Sequence, residues 1–231
     1  MLKRCPFWLA VRIVVDSAQF ELEKTQTRPM TARRRTFQRE CGVAIRLRRP
    51  TPESLHPLLD RARNDAVTYA PVGLTSQAGC PAGYRRDSSS TVLGHGGPVF
   101  ARARDALRAW EMHKASGFVV LAEGPPTVDG VVALSAPLPV GFIEATCRIV
   151  DVVDTADRYG FAYGTLSTHP ERGEESFTVI RHEDDSIVFE IVVVSQPRNP
   201  LARACPPVAR LLQRKATARY LATMRAAAAV A

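Results

Sequence analysis

The sequence predicts an α+β fold in which a curved antiparallel sheet of about six to seven strands packs on a long C-terminal helix. Six β-rich runs follow one another between residues 118 and 195, joined by short links rich in Gly, Pro and Asp. Short links favour antiparallel pairing, because parallel neighbours need long crossover connections. A helical pattern of apolar residues then occupies residues 201–226, and two shorter helical patterns precede the strands.

Two shorter helices and two short strands are predicted ahead of these runs. The first helix starts at Thr51-Pro52-Glu53, which supplies a capping hydroxyl, a proline at the first helical position and an acid near the positive end of the dipole. The second is predicted as one continuous helix that opens at Pro98 and stops at Gly117. The strands are expected at residues 43–49 and 84–93.

The C-terminal helix carries an apolar ridge beside a row of basic residues. The ridge recurs every four residues and comprises Val208, Leu212, Ala216, Tyr220 and Met224. An amphipathic helix buries one stripe, so we expect the ridge to pack on the sheet and the basic side chains to face water. Those basic residues are Arg203, Arg210, Arg214, Lys215, Arg219 and Arg225.

The net charge of +8 originates in the first 50 residues of the chain. They hold 12 basic and 4 acidic residues, whereas the remaining 181 residues hold 19 of each. A neutral body lacks the basic surface that phosphate binding needs, so no nucleic-acid partner is expected for the domain body. No apolar stretch approaches the roughly 18 residues of a membrane span, so no transmembrane helix is expected.

The cysteines are odd in number, widely spaced and without a C-x-x-C pair: Cys5, Cys41, Cys80, Cys147 and Cys205. This spacing favours free thiols in a reducing cytoplasm over a zinc site or a disulfide framework. The sequence has no P-loop, dinucleotide fingerprint or H-E-x-x-H motif, so neither cofactor nor metal is expected. Abundant Arg, Ala, Val and Pro beside scarce lysine indicate a GC-rich, bacterial genome. Nothing in the sequence fixes an oligomeric state.

Residues 1–42 differ in pattern from the rest and contain the run Arg33-Arg34-Arg35. We interpret them as a disordered extension or a misassigned start, with a functional basic arm as the alternative. A single α+β domain is expected over residues 43–226, followed by an Ala-rich tail at residues 227–231.

The order of elements resembles the helix-grip fold of the START, pollen-allergen and polyketide-cyclase-like superfamily. That resemblance implies a curved sheet wrapped around the last helix, with a hydrophobic cavity between them. At residue level, "TYAPVG" (68–73), "VFARARDALRAWEMH" (99–113) and "YGFAYGTLSTHPERGEESFTV" (159–179) resemble the family called domain of unknown function 1990, or uncharacterised protein family 0548. The resemblance runs from about Ile45 to Met224, implies a fold and supplies no reaction.

Residues 169–175, His-Pro-Glu-Arg-Gly-Glu-Glu, form a crowded charged segment between two predicted strands. A histidine beside carboxylates can act as a general base or contact a ligand, which makes His169 a candidate at the cavity mouth. The favoured alternative is a solvated hairpin tip in which Pro170 and Gly173 shape the turn. No serine or cysteine nucleophile motif accompanies the histidine.

Glu175 is expected to share the inward face of Phe177 and Val179, because alternate strand residues point the same way. An inward carboxylate needs a partner, and Arg148 is the predicted one; the pair could hold an acidic ligand or staple two strands. Further candidates for ligand contact, with structural hydrogen bonding as the favoured role, are Tyr69, Tyr84 and Tyr163. Residues predicted as core are Phe100, Trp110, His113 and Cys147.

Three functions are compatible with these patterns. The favoured one is non-catalytic binding of a hydrophobic or amphipathic small molecule in a cavity between the sheet and the C-terminal helix. The second is a cyclase- or hydrolase-like enzyme that uses Tyr163, His169, Glu175 and Arg148, which requires these groups to converge in a pocket. The third is an interaction module that acts through the basic arm.

Overall fold

The computed structural model describes residues 45–198 and 206–229. The strands within these residues are β1 (Ile45–Arg46), β2 (Arg85–His95), β3 (Val119–Ala122), β4 (Val131–Pro137), β5 (Phe142–Asp154), β6 (Arg158–Thr165), β7 (Glu171–Arg181) and β8 (Ser186–Pro197). The α-helices are α1 (His56–Ala62), α2 (Gly97–Arg108), α3 (Glu111–Ala115) and α4 (Pro206–Ala229), and a 3-10 turn (Glu53–Leu55) leads into α1.

All strands belong to one antiparallel sheet, as the short links predicted. The order across the sheet is β2-β8-β7-β6-β5-β4-β3, and β1 pairs with the start of β5. Strands β3 to β8 are therefore a meander, while β2 reaches β8 from an earlier part of the chain. The register shifts between Ile149 and Asp151 in β5, and between Val92 and Gly94 in β2. Such bulges bend a strand and increase its twist.

One face of the sheet, here called the inner face, carries the main core. Tyr159, Phe161, Phe177, Phe189 and Ile191 lie on it and are almost entirely buried. Helices α2, α3 and α4 pack on this side, and α4 lies mainly against β2, α2 and α3. The sheet thus packs on α4, as the fold class predicted, and α2 and α3 lie on the same side.

Helix α1 covers the opposite, outer face of the sheet. Leu55, Leu59 and Ala62 are buried, as the predicted apolar face requires. Leu55 and Leu59 pack with Val119 of β3 and Ala133 of β4. The two neighbours of Ala133 along β4, Val132 and Leu134, point to the inner core. The two faces of β4 therefore serve two separate hydrophobic clusters.

The predicted single helix from Pro98 to Gly117 is wrong, because the chain breaks it at Trp110. Trp110 has φ 60°, a left-handed conformation that an α-helix cannot continue through. Its buried indole packs against Phe161 at a centroid distance of 5.1 Å, and its Nε1 donates to the Gly124 carbonyl at 2.9 Å. Burial of this large side chain offsets the backbone strain and divides α2 from α3.

Helix α4 has the predicted amphipathic character. Tyr220 and Met224 are buried, Leu212 and Ala216 are half-buried, and the exposed residues include the cations Arg210, Arg214, Lys215, Arg219 and Arg225. Residues 201–205 and the side chain of Val208 lie outside the described part of the chain. The helix continues to Ala229, so Ala227–Ala229 extend it rather than forming a tail, and Ala228 is buried. Across the described ranges, no helix combines the length and apolarity that a membrane crossing requires.

Candidate functional site

Tyr163 and Glu175 face each other across β6 and β7 on the inner face. The strand register pairs them directly, and the Tyr163 hydroxyl donates to Glu175 Oε2 at 2.8 Å. Phe177, two residues along from Glu175, is completely buried in the inner core. The predicted inward direction of Glu175 is therefore confirmed.

Burial is the main cause of the raised pKa values of Glu175 and Tyr163. It raises the pKa of the Glu175 carboxyl to about 7, helped by the negative charge of Glu171 and opposed by the hydrogen bond from Tyr163. Burial also raises the pKa of the Tyr163 and Tyr220 hydroxyls, and the nearby Glu175 carboxylate raises both further. Near neutral pH, Glu175 can accordingly hold or release its proton.

Arg148 does not pair with Glu175, so the predicted ion pair is wrong. Its neighbours Cys147 and Ile149 are buried in the inner core, which directs Arg148 to the outer face. There the guanidinium donates to three backbone carbonyls, those of Arg63 at 2.7 Å, Asp65 at 3.1 Å and Asp129 at 2.9 Å. Arg148 thus fastens the end of α1 and the β3–β4 loop to β5.

Glu174 points to the outer face and holds the segment that precedes β2. Its Oε2 accepts from the Tyr69 hydroxyl at 2.7 Å and from the backbone N–H groups of Gly73 and Leu74 at 2.9 and 3.2 Å. Its Oε1 accepts from the Thr75 backbone N–H at 3.0 Å and the Thr75 hydroxyl at 2.6 Å. Burial raises the pKa of Glu174, but these hydrogen bonds outweigh it and leave the pKa below its usual value.

Tyr69 and Tyr84 belong to this segment before β2, so they lie on the opposite face of the sheet from Tyr163. Tyr69 is buried over Gly164, where any side chain would overlap the Tyr69 ring. Tyr84 packs beside it against Val192 and Val194, which point outward. The motif "TYAPVG" and the "GE" of residues 173–174 therefore form a fastening between a loop and the sheet, and both tyrosines belong to the outer face.

His169 lies in the turn between β6 and β7 and is half-buried rather than solvated. Its Nδ1 accepts a hydrogen bond from the Glu171 backbone N–H at 3.1 Å. Burial lowers the pKa of His169 to about 4 and Arg198 lowers it further, against a hydrogen bond to the Glu171 backbone that raises it. The imidazole is therefore neutral at physiological pH.

Gly173 does not shape this turn, contrary to the prediction, because it lies inside β7. Its φ of +150° and its close approach to the Val194 carbonyl oxygen exclude a side chain. Its N–H donates to the Thr165 hydroxyl at 3.0 Å, and this bond draws β6 and β7 together next to the turn.

Glu171 is a second inward carboxyl that the sequence interpretation missed. It accepts from the Ser195 hydroxyl at 2.7 Å and from the Gln213 amide of α4 at 2.6 and 2.7 Å. Burial raises the pKa of Glu171, although Ser195, Arg85 and Gln213 oppose this. Every second residue of a strand points the same way, so Glu171, four residues before Glu175, could have been predicted to lie on the inner face.

His113 of α3 is completely buried, as its predicted core position requires. Its ring lies 5.1 to 6.0 Å, centroid to centroid, from the rings of Trp110, Phe118, Tyr163, Phe177 and Tyr220. Within the described part of the chain, neither of its ring nitrogens has a hydrogen-bond partner. Burial lowers the pKa of His113 to about 3, so the ring is neutral.

Helix α4 contacts the inner face at two levels along its length. At one level Gln213 bonds to Glu171; at the other Tyr220 packs on Phe177 with ring centroids 5.9 Å apart. The helix rises about 1.5 Å per residue, so the two levels are roughly 10 Å apart. We call the stretch of the sheet–helix interface between these two contacts the gap.

The gap is lined from both sides by side chains that point inward yet reach solvent. Glu175, Val193 and Ser195 line it from the sheet, and Ala216 and Thr217 face it from α4; all five are half-buried. At the level of Tyr220 the inward side chains are instead buried. The described residues contain no group of three His, Cys, Asp or Glu side chains suited to a metal ion. The gap therefore combines apolar side chains with the carboxyl and hydroxyl groups of Glu175, Ser195 and Thr217.

Comparisons with known proteins agree with the motifs. The chain matches the family model described as "Domain of unknown function (DUF1990)" over residues 68–223. It is 30% identical over 187 residues to a UPF0548 protein of Deinococcus radiodurans, covering 75% of this chain and 93% of that protein. It is 29% identical over 142 residues to a UPF0548 protein of Dictyostelium discoideum, covering 56% of this chain and 66% of that protein. Ginseng major latex-like protein 151 from Panax ginseng, a solved structure, aligns with a TM-score of 0.40 and 16% identity over 61% of this chain and 97% of that one. The match over most of the described domain, together with the Deinococcus relative, shows that this chain belongs to the DUF1990 family.

Proposed function

We propose that this protein binds a hydrophobic or amphipathic small molecule in the gap between the sheet and α4. The observation that carries the proposal is the set of inward-pointing, half-buried side chains, among them Glu175, Val193 and Ala216. Protein interiors are close-packed, so side chains that face each other across a sheet and a helix are normally buried by one another. Their contact with solvent supports a space that a ligand can fill.

The lining matches the chemistry of small-molecule sites. Such sites are concave and mostly apolar, with a few polar groups that orient the ligand. Val193 and Ala216 supply apolar surface, while Glu175 and Ser195 supply polar groups. Apolar contact would provide most of the affinity and the polar groups would select one orientation.

The positions of Arg148 and His169 do not favour the enzymatic alternative. It required Arg148 and His169 to converge with Tyr163 and Glu175. Arg148 is engaged by backbone carbonyls on the outer face, and His169 Nδ1 is engaged by the Glu171 backbone. Binding is therefore the function we put forward. The basic arm lies outside the described residues, and its role as an interaction module stays a prediction.

We infer a cytoplasmic, bacterial setting for this activity, and a small molecule rather than nucleic acid as partner. Cys80 and Cys147 are free thiols, which fits a reducing compartment. The neutral body of the chain remains the reason to expect no nucleic acid.

The test fills the gap by mutation and measures binding of an apolar fluorescent probe, N-phenyl-1-naphthylamine. Ala216→Trp places an indole in the gap, whereas Ala218→Trp places the same group on the exposed side of α4. We expect saturable binding by the natural protein, at least roughly tenfold weaker binding by Ala216→Trp, and unchanged binding by Ala218→Trp. Circular dichroism and thermal unfolding would verify that both variants remain folded.

Native mass spectrometry of protein purified from its own host gives a second readout. We expect an additional mass on the natural protein that Ala216→Trp lacks. The proposal fails if the probe does not bind saturably and the natural protein is consistently empty. It also fails if the two tryptophan variants lose binding equally.

A further inference from the structure

The side of α4 that is turned away from the sheet is strongly basic. Residues 206–229 contain no aspartate or glutamate, so the helix itself does not balance its cations. Its five cations are all exposed: Arg210, Arg214, Lys215, Arg219 and Arg225. We call the side of the helix that carries them the basic face.

The basic face gives the domain an uneven distribution of charge. Residues 51–231 hold 19 basic and 19 acidic residues. Five of the basic ones and none of the acidic ones lie in α4, so the remaining 14 basic and 19 acidic residues leave the rest of that stretch at −5. Such a separation of charge orients a protein toward an anionic surface, with the positive side in front.

The carboxylates on the helices and the edge strand that pack against α4 do not neutralise the basic face. Asp87 of β2 and Asp105 of α2 bind arginines of their own elements, Arg85 and Arg104. Glu111 of α3 forms no ion pair with a described cation, and no described carboxylate pairs with a cation of α4. The negative charge that the basic face lacks can therefore come from a partner.

This arrangement works against the stability of the helix. Arg210 and Arg214 are one turn apart, and so are Lys215 and Arg219. Like charges at this spacing repel each other, whereas glutamates interleaved with the cations would stabilise a helix that is merely solvated. The pattern of charge on α4 thus favours binding over helix stability.

An exposed apolar line runs between the cations. Leu211 is 53% exposed, and Ala218 and Ala222 continue its line along the helix and are exposed too. Arg214 and Lys215, three and four residues after Leu211, lie on the two sides of this line. A leucine among cations suits the interface of a lipid bilayer, where charged headgroups cover an apolar layer. A nucleic-acid backbone would use the cations and leave the leucine in water.

We propose that the basic face docks on the surface of an anionic lipid bilayer, with its cations on lipid phosphates and Leu211 at the boundary between headgroups and acyl chains. About four to eight Lys or Arg on an amphipathic helix are typical of segments that bind anionic lipid surfaces. The 24 residues of α4 span roughly 36 Å, and long basic side chains can reach a flat surface from both sides of the apolar line. The inference concerns the side of α4 opposite the gap, so it does not depend on a ligand there.

The experiment measures co-sedimentation of the full chain with vesicles of phosphatidylcholine that contain about 30% phosphatidylglycerol, in about 0.1 M NaCl. The test variant removes three cations of the basic face: Arg214→Gln, Lys215→Gln and Arg219→Gln. The control variant has the same net charge and removes three exposed cations from α1, β6 and β7: Arg61→Gln, Arg158→Gln and Arg172→Gln.

We expect the control variant to bind within about threefold of the natural protein, and the test variant roughly a hundredfold more weakly, because each cation near an anionic surface raises affinity about fivefold. Binding should weaken as salt is added and should be lost on vesicles of phosphatidylcholine alone. Leu211→Ser should weaken binding about fivefold, since it removes the apolar contact. Val92→Ser, at a similarly exposed valine on the outer face of the sheet, should leave binding unchanged.

Several results would overturn the inference. The first 50 residues carry a net charge of +8, and equal binding by the two triple variants would assign vesicle binding to them or to total charge. Tighter binding of a DNA duplex or of polyglutamate than of vesicles, lost in the test variant, would make the partner a nucleic acid or an acidic protein. Displacement from vesicles by inorganic phosphate, beyond that by NaCl of equal ionic strength, would indicate a phosphate site instead.

Thermal unfolding verifies that both triple variants remain folded. If the test variant does not fold, the comparison of Leu211→Ser with Val92→Ser decides: equal binding by these two single variants would overturn the contact of α4 with the bilayer.

Discussion

The Tyr163 hydroxyl donates to Glu175 at 2.8 Å across two neighbouring strands, on the face of the sheet that α4 covers. The bond gives the half-buried carboxyl a partner without giving it a counter-charge. The free energy of unfolding therefore depends on whether Glu175 is ionised.

Glu175→Gln should change how stability depends on pH. A carboxyl whose pKa rises from 4.5 unfolded to about 7 folded contributes stability that is complete below 4.5 and is lost as the pH rises to 7. Glutamine cannot ionise, so the variant should be more stable than the natural protein at pH 8 by about 1–3 kcal/mol, and similar to it at pH 4. Urea unfolding at both pH values measures the difference, in which the other titrating groups cancel. Parallel stability curves for the two proteins would contradict the expectation.

Glu174→Gln should destabilise the protein by about 3 kcal/mol at pH 7, because a carboxylate with five donors loses its charge and part of its accepting capacity. The pKa of Glu174 is lowered in the folded state, so its contribution is present above about 4.5 and disappears as the pH falls through the folded value. The deficit should accordingly shrink in acid. Urea denaturation across this range, with Glu183→Gln as the exposed control, tests it; a deficit independent of pH would argue against an ionised Glu174.

Gly164→Ala should cost about 1–3 kcal/mol, since the added methyl group would overlap the Tyr69 ring. Gly79→Ala is the matched control, because its added methyl group meets nothing within 4 Å, and its effect should stay within about 0.5 kcal/mol. Thermal unfolding of both variants decides the matter. Equal melting temperatures would mean that the loop does not rest on β6.

Arg148→Met should lower the free energy of unfolding by about 2 kcal/mol, because three backbone carbonyls, of which that of Asp65 is half-buried, lose a charged donor. Its affinity for an apolar probe should stay within about twofold, since the residue lies on the outer face. Arg158→Met, an exposed position on the neighbouring strand, is the control for stability. Lost probe binding in a variant of natural stability would restore Arg148 to the ligand site.

His113→Leu should raise the free energy of unfolding by about 1–3 kcal/mol at pH 7, because it removes two buried nitrogens that lack a described partner. The histidine pKa falls from 6.5 unfolded to about 3 folded, so the natural protein loses stability as the pH drops below 6.5. The leucine variant has no such loss, and its advantage should grow in acid. Chemical denaturation at pH 7 and pH 5 measures both effects; a destabilised variant would indicate that His113 has a partner in the folded protein.

Much of the fold could be predicted from local pattern. The six β-rich runs correspond to β3 through β8, and the amphipathic C-terminal pattern corresponds to α4. The inward direction of Glu175 followed from the period of two in a strand, and the family followed from motifs such as "TYAPVG". These features depend on residues that are close together in the sequence, which is why periodicity and turn chemistry reveal them.

The partners of the site residues depended on contacts across long stretches of chain. Arg148 bonds to carbonyls more than 80 residues earlier, at Arg63 and Asp65, and Glu171 meets Gln213 of α4. The left-handed backbone of Trp110 likewise depends on a distant contact, because its side chain is buried against Phe161. Alternation along β5 places Arg148 on the face opposite to Cys147 and Ile149, and the sequence-based pairing of Arg148 with Glu175 failed to take this into account. Only the folded arrangement shows which face meets α4 and where that helix contacts the sheet, because packing between distant elements, and not the local backbone, sets those positions.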